Sequence, residues 1–295
     1  MTAPTTPTGL HAIELEITGG CQLTCTHCLS ESSPQGTHGR MTVGDWQQVI
    51  TDAAALGIPQ VQLIGGEPTL YPYWVDLLDL ALGLNLHVEV FSNLYHVRPA
   101  WWTVFEQDGV SLATSYYSDD PAEHDRITQR PGSHQRTRTN IQEAQRRGIP
   151  LRVGILHIQP GQRVQQARAD IEAMGINDIQ MDRVRAVGRA VMGSDGPSAA
   201  ELCGRCGINR AAILPSGDLT LCVLSRFMPV GNVRVTPLAD LIDGPLWRDA
   251  RSKIPPLSPT ACQPDGSDCN PANTPACLPK FPVAPIYLTT QDGTR

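Results

Sequence analysis

Six short β-prone runs separated by longer segments of helical periodicity set the narrowest limit on how this chain can fold. The runs are Ile13–Thr18, Gln60–Ile64, Leu86–Phe91, Val110–Ser115, Leu151–His157 and Asp178–Val184. Between them, apolar spacing predicts helices near Val43–Leu56, Tyr73–Leu82, Ala100–Gln107, Thr137–Arg147 and Val164–Met174. Gly57, Gly83, Gly148 and Gly175 fall where those helices should stop, as left-handed C-terminal caps do. Strands joined by helix-length crossovers pair in parallel, so this rhythm predicts an α/β chain built as a parallel βα array. In such sheets ligands bind at the C-terminal ends of the strands, and the residues just after each run are the ones to inspect.

The texture changes after Arg189. Met192–Ala199 reads as a Gly/Ser/Pro linker, which predicts one unit over residues 1–195 and a second over 196–295. The second unit has six of the nine cysteines, nine prolines between Pro255 and Pro285, and one expected helix near Leu238–Arg251. So little apolar periodicity cannot bury much core unaided, and small units of that kind usually need a metal or cross-links. At 295 residues, with 41% hydrophobic and 18% charged residues, the whole chain reads as globular rather than disordered or fibrous. A net charge of −6 leaves no basic face for a phosphate backbone, so nucleic acid is not an expected partner and a cationic one is. Met1–His11 lacks the apolar stretch of a signal peptide, and no run approaches the length of a membrane span. An odd cysteine count without a secretion signal points to metal ligation in a reducing, cytoplasmic setting rather than to disulfides.

The densest chemistry follows the first β run, as Cys21-Gln-Leu-Thr-Cys25-Thr-His-Cys28. A structural zinc site wants four protein ligands, so here it would have to recruit His27, His38 or a remote residue. A [4Fe-4S] cluster held by three cysteines instead leaves one iron open to an outside ligand. The spacing resembles the signature of the radical S-adenosylmethionine superfamily. Gly65-Gly66-Glu67-Pro68, after the second run, resembles that family's GGEP element, which binds the methionine amino group of the cofactor. The resemblance implies a partial (β/α)6 barrel with a small C-terminal iron–sulfur auxiliary domain. It also implies that Glu67 accepts from the cofactor ammonium, that His27 lies near the adenine, and that Ser92, Asn93 and Ser115 contact the ribose. An arginine that meets the cofactor carboxylate is expected beyond the fourth run; Thr128 stands at the usual position, which leaves Arg126 or Arg130 to substitute. In this chemistry one electron, from a carrier such as flavodoxin or ferredoxin, reduces the cluster. S-adenosylmethionine is then cleaved to methionine and a 5′-deoxyadenosyl radical, which abstracts a hydrogen atom from an unactivated C–H bond.

The second cysteine set is Cys203-Gly-Arg-Cys206, then Cys222, Cys262, Cys269 and Cys277. Cys206-x10-Gly217-x4-Cys222 resembles the opening hairpin of the SPASM and twitch auxiliary domains, although the tight final cysteine run of the full pattern is missing. The resemblance implies at least one auxiliary [4Fe-4S] cluster, the favoured set being Cys203, Cys206, Cys222 and one of Cys269 or Cys277. A zinc ribbon is the plainer alternative. One cluster leaves thiols over, and Cys262 is the expected hydrogen-atom donor for a reaction that inverts a carbon centre. Three readings follow. The first is an epimerase or dehydrogenase of a cationic aminoglycoside antibiotic, similar to epimerases of the neomycin type. The second is a maturase that cross-links or epimerises a ribosomal peptide, and the third a non-catalytic iron–sulfur or zinc protein. Other candidates have plainer expectations. Trp101-Trp102 should pack on the sheet, Asp119-Asp120 should cap a helix or meet a substrate ammonium, and His157 should end the fifth strand as a satisfied polar group. Glu16 and Arg185 should point into the barrel mouth.

Overall fold

The computed structural model describes residues 8–191 and 196–256, so Cys262, Cys269 and Cys277 lie outside the described residues. Six parallel strands, β1 (Ala12–Glu16), β2 (Gln60–Ile64), β3 (His87–Phe91), β4 (Val110–Ser115), β5 (Leu151–His157) and β6 (Ile179–Arg183), stand side by side in chain order. Helices α1 (Val43–Ala55), α2 (Trp74–Gly83), α3 (Trp101–Phe105), α4 (Pro121–Thr128), α5 (Ser133–Arg146) and α6 (Val164–Ala173) make the crossovers. This is the expected partial barrel. Ile13 and Leu15 of β1 pack outward into the core with Trp46, Ile50, Leu63 and Leu77, all of them essentially sealed from solvent. The alternate residues Glu14 and Glu16 turn inward, as the period of a strand requires.

Three local features differ from expectation. Gly57, Gly148 and Gly175 do take left-handed conformations after α1, α5 and α6, but Gly83 remains in the last turn of α2 and Asn85 (φ 60°) makes the reversal. Helix α4 buries only one large apolar side chain, Ile127, so periodicity could not reveal it. Its signal is in the cap: Asp120 accepts from the Glu123 amide at 2.7 Å, and Pro121 opens the helix. The single helix expected over Leu238–Arg251 is two, α7 (Leu238–Leu241) and α8 (Pro245–Ser252), because Gly244-Pro245 cannot continue the first.

The C-terminal segment is more closely joined to the barrel than its sequence texture implies. Strand β7 (Arg210–Ile213) pairs in parallel with the free edge of β1, with Ile213 beside Leu15. Strands β8 (Asp218–Thr220) and β9 (Gly231–Asn232) continue the sheet antiparallel, giving nine strands in all among the described residues. Leu202, Ile213, Leu219, Leu221, Val230 and Trp247 belong to the same buried core as the barrel helices. The segment therefore borrows its core rather than building one. Among the described residues, no helix is long and apolar enough to cross a membrane. Substituting Ile213→Ala should cost about 2–5 kcal/mol, the range for deleting buried aliphatic groups. The whole unfolding transition should move to lower denaturant as one step, and a separate early step confined to the hairpin would contradict the shared core.

Candidate active site

At the C-terminal ends of the strands lies a cavity of about 440 Å³, and both cysteine sets line it: Cys21, Cys25 and Cys28 on one side, Cys203, Cys206 and Cys222 on the other. The loop holding the first set is shaped by its backbone. Cys21 N donates to Ser33 O (2.9 Å), while Thr24 N and Thr26 N donate to Thr128 O (3.2 Å) and Ile127 O (2.9 Å) at the end of α4. Gly65 and Gly66 press the end of β2 against the start of this loop. Gly66 N donates to Thr18 O (2.7 Å) and Glu67 N to Gly20 O (2.8 Å). A Cβ on Gly66 would stand 2.2 Å from Gly20 O, and one on Gly65 2.4 Å from Thr18 O. Only glycine permits that approach.

The donor set suits an iron–sulfur cluster. Burial, and then the nearby charge of Glu67, push the Cys21 thiol up to about 12, and burial also raises Cys25. Adjacent buried thiols resist ionising unless a metal centre supplies positive charge, and a coordinating thiol is deprotonated outright. His38 shares a hydrogen bond with the Thr18 hydroxyl (2.8 Å) and stands edge-on to Tyr71. His27 meets Tyr117 edge-on at 4.9 Å and keeps its Nδ1 buried without a protein partner, on the cavity wall. Burial, with the Arg189 charge behind it, lowers its pKa to about 4, so the ring is neutral at pH 7 and offers a hydrogen-bonding nitrogen to a ligand.

Several expected cofactor contacts are placed differently. Glu67 is 1% exposed, and its carboxylate already accepts from Thr69 N (3.2 Å), Thr69 Oγ1 (2.7 Å), Ser92 Oγ (2.9 Å) and Asn93 N (2.9 Å). Three of these donors meet Oε1 and one meets Oε2, so the carboxylate ties the end of β2 to the end of β3, and Glu67 is absent from the cavity lining. Pro68 opens a short 3-10 turn beneath it, and Ser92 is spent on Glu67 and the Leu94 amide. Gly65, Gly66, Asn93 and Ser115 do line the cavity, and Asn93 Nδ2 donates to Cys21 Sγ at 3.6 Å. Arg126 and Arg130 do not line it. Arg126 is an exposed partner of Glu123 (3.7 Å), and Arg130 reaches outward to the Tyr95 hydroxyl (3.1 Å). Both sit on the outer side of the α4–α5 turn, whose inner side is closed by Thr128 bonding Ser133 (2.6 Å). His157 is absent from the lining, Asp119 pairs with Arg163 (2.7 Å), and Trp101 packs edge-on to Trp74, whereas Glu16 and Arg185 do face the cavity.

Arg189 escaped the sequence reading, although it stands just past the last strand of the barrel. Its amide donates to Cys28 O (3.0 Å), its Nε to Cys25 O (2.8 Å) and its guanidinium NH2 to Ser32 O (2.7 Å), so one side chain spans the cysteine loop. Gly188 (φ 60°) makes room: a Cβ there would stand 2.3 Å from Leu29 O and 2.4 Å from Cys28 O. A glycine followed by a cation just past a strand end was the signal to look for. In the second set, Cys206 Sγ and Cys222 Sγ are 3.0 Å apart. A hydrogen bond from Cys206 holds the Cys203 thiol down, to about 6, while Cys206 itself is raised.

The radical SAM superfamily matches residues 15–174, more than half of the chain, and the protein belongs to it; the SPASM iron–sulfur cluster-binding domain matches residues 203–270. A PqqA peptide cyclase of Ruegeria pomeroyi is 32% identical over 144 residues, 48% of this chain and 38% of its own. An S-adenosylmethionine-dependent nucleotide dehydratase of a Thermoplasmatales archaeon is 28% identical over 142 residues, 48% of this chain and 50% of its own. The chain thus spans half or less of the length of these relatives. Among solved structures, Streptococcus suis SuiB bound to its precursor peptide SuiA superposes with a TM-score of 0.68 at 15% identity, covering 82% of this chain and 67% of that one. The structure of anSMEcpe with bound AdoMet gives a TM-score of 0.64 at 12% identity, covering 81% of this chain and 82% of that one. The cofactors are accordingly a [4Fe-4S] cluster, S-adenosylmethionine and an auxiliary iron–sulfur cluster. Nothing in these likenesses singles out aminoglycoside epimerases. Cys21, Cys25 and Cys28 are the residues that fit the catalytic cluster, and Arg189 fixes their loop. Arg189→Ala should lower the iron and sulfide bound per chain after anaerobic reconstitution, with Arg189→Lys restoring part of it; full loading of the alanine variant would show that the clamp is dispensable.

Proposed function

We propose that this radical SAM enzyme epimerises a peptide, taking a hydrogen atom from one face of a backbone carbon and returning another to the opposite face. The observation that carries the reading is the single cavity bounded by both cysteine sets. It gives one continuous space between the Cys21–Cys28 loop and the Cys203–Cys222 segment, at the strand ends.

When bound, the cluster and S-adenosylmethionine supply the carbon radical that removes the substrate hydrogen. The chain's own residues bind, orient and exclude water. Gly65 and Gly66 bring backbone against the cofactor site, and Asn93 steadies Cys21. His27 Nδ1 is a buried polar atom without a protein partner on the cavity wall, fit to accept from or donate to a bound ligand. Six arginines line the cavity, Arg152, Arg183, Arg185, Arg189, Arg205 and Arg210, against three carboxylates, Glu14, Glu16 and Asp182. All three carboxylates are engaged, Glu14 by Arg210 (3.3 Å), Glu16 by Arg226 (3.1 Å) and Asp182 by Arg185 (2.8 Å), while Arg152 and Arg183 hold Glu89 and Glu201. Among the described residues this wall offers a polycation no unpaired carboxylate, so a peptide is preferred to the aminoglycoside of the sequence reading. Peptide-acting relatives support the same choice. Six cysteines follow residue 200, and one auxiliary cluster needs four; Cys262 is the thiol proposed to return the hydrogen atom.

Reconstituted protein should cleave S-adenosylmethionine under dithionite, and replacing Cys21, Cys25 or Cys28 by alanine should abolish this. In heavy water an epimerised peptide gains one deuterium and is otherwise unchanged, whereas a product two hydrogens lighter would make the reaction a dehydrogenation or cross-link. Cys262→Ala should keep cofactor cleavage and lose the epimer; normal epimer formation by that variant would remove Cys262 from the reading.

A further inference from the structure

Outside the barrel, the loop after β3 and the start of α5 enclose a second, solvent-open pocket of about 420 Å³ that shares no lining residue with the cavity. Tyr95, His96, Gln135, Arg136 and Asn140 are among its walls. Three exposed arginines surround it. Arg136 and Arg130 stack on the Tyr95 ring at 4.9 and 5.5 Å, and Arg98 stacks on Trp101 at 5.0 Å. None of the three makes an ion pair among the described residues, while Arg138, Arg152, Arg163 and Arg185, for example, each hold a carboxylate. In a chain of net charge −6, three unpaired guanidiniums on one face are a local reversal of sign. Stacking on aromatic rings keeps them extended with most of their donors toward solvent.

The inner wall of this pocket adjoins the catalytic cysteines. Tyr95 N donates to Asn93 Oδ1 (2.8 Å), and Asn93 Nδ2 donates to Cys21 Sγ (3.6 Å), so a single side chain separates the Tyr95 backbone from a cluster ligand. Thr137 Oγ1 and Asn140 Nδ2, from α5, hold Asn93 O (3.0 Å) and Leu94 O (2.7 Å), which makes the connection rigid.

We propose that this face docks an acidic one-electron carrier, a low-potential flavoprotein or iron–sulfur protein, which reduces the catalytic cluster. The carrier loses one electron and the cluster gains one, with no bond or proton exchanged. The proposal rests on the radical reading above, which needs a reductant. The face shares no lining residue with the cavity yet stands one side chain from Cys21, which favours a carrier over an acidic segment of the substrate.

The test uses the reconstituted holoenzyme, a purified bacterial flavodoxin as probe, and Arg98→Glu and Arg136→Glu together. Charge reversal should weaken flavodoxin binding about tenfold or more and flatten its salt dependence. Flavodoxin-driven cleavage of S-adenosylmethionine at sub-saturating carrier should fall in proportion, while dithionite-driven cleavage stays at the wild-type rate. Unchanged flavodoxin affinity would overturn the proposal, and so would an equal loss with dithionite. A raised substrate KM under dithionite would assign the face to the substrate instead. Failure of the wild type to cleave the cofactor with dithionite would sink the radical reading alone, because flavodoxin binding is measured separately.

Discussion

The site depends on backbone packed directly on backbone around one loop. Gly65 and Gly66 bring β2 against Thr18 and Gly20, and Gly188 brings the segment after β6 against Cys28 and Leu29. Arg189 then spans the loop from Cys25 to Ser32. Carbonyls so closely approached need donors, and the guanidinium supplies two within a buried setting where hydrogen bonds to a charged group are strongest. Cys21 and Cys25, which burial would keep neutral, are thereby gathered with Cys28 where a metal cluster makes thiol ionisation favourable.

The barrel floor is polar for a related reason. Gln62, Glu89, Arg152 and Gln180 bridge β2, β3, β5 and β6 across the inner face, with Arg152 bonded to Glu89 at 2.7 Å and to Gln180 at 2.9 Å. Burial alone would push the Glu89 carboxyl up, but the Arg152 charge and its hydrogen bonds more than offset this and hold it down. On β1, where Arg210 and Arg226 give less, burial prevails and Glu14 and Glu16 stay raised. A half-open barrel cannot fill its mouth with aliphatic side chains and still admit a cofactor and substrate. It uses paired charges, which hold shape while leaving volume.

The cluster signature and the second motif were legible because their residues act locally. Cys21, Cys25 and Cys28 lie on one loop, and Gly65-Gly66 is a turn with its own steric demand. Glu67 has partners that its local sequence does not announce. From sequence it is an acceptor next to a ligand-binding turn, yet Ser92 and Asn93 from the neighbouring strand reach it first. Arg126 and Arg130 follow from proximity to a motif position, yet Arg126 on α4 is exposed beside Glu123 and Arg130, in the turn after α4, reaches outward to Tyr95. Arg189 sits 164 residues from Cys25 and 157 from Ser32, a separation no local pattern encodes.

What the sequence determined by itself is periodic or contiguous: six strands, their crossovers, and the cysteine spacing that suits a cluster with one open iron. Strand and helix periods are set by backbone geometry, so apolar spacing reveals them without neighbours. Tertiary structure alone decided that β7 continues the sheet beside β1, that both cysteine sets face one cavity, and which buried carboxylates and arginines are already paired. Those outcomes depend on which donor comes closest in space, and burial magnifies small differences in that distance into the choice of partner.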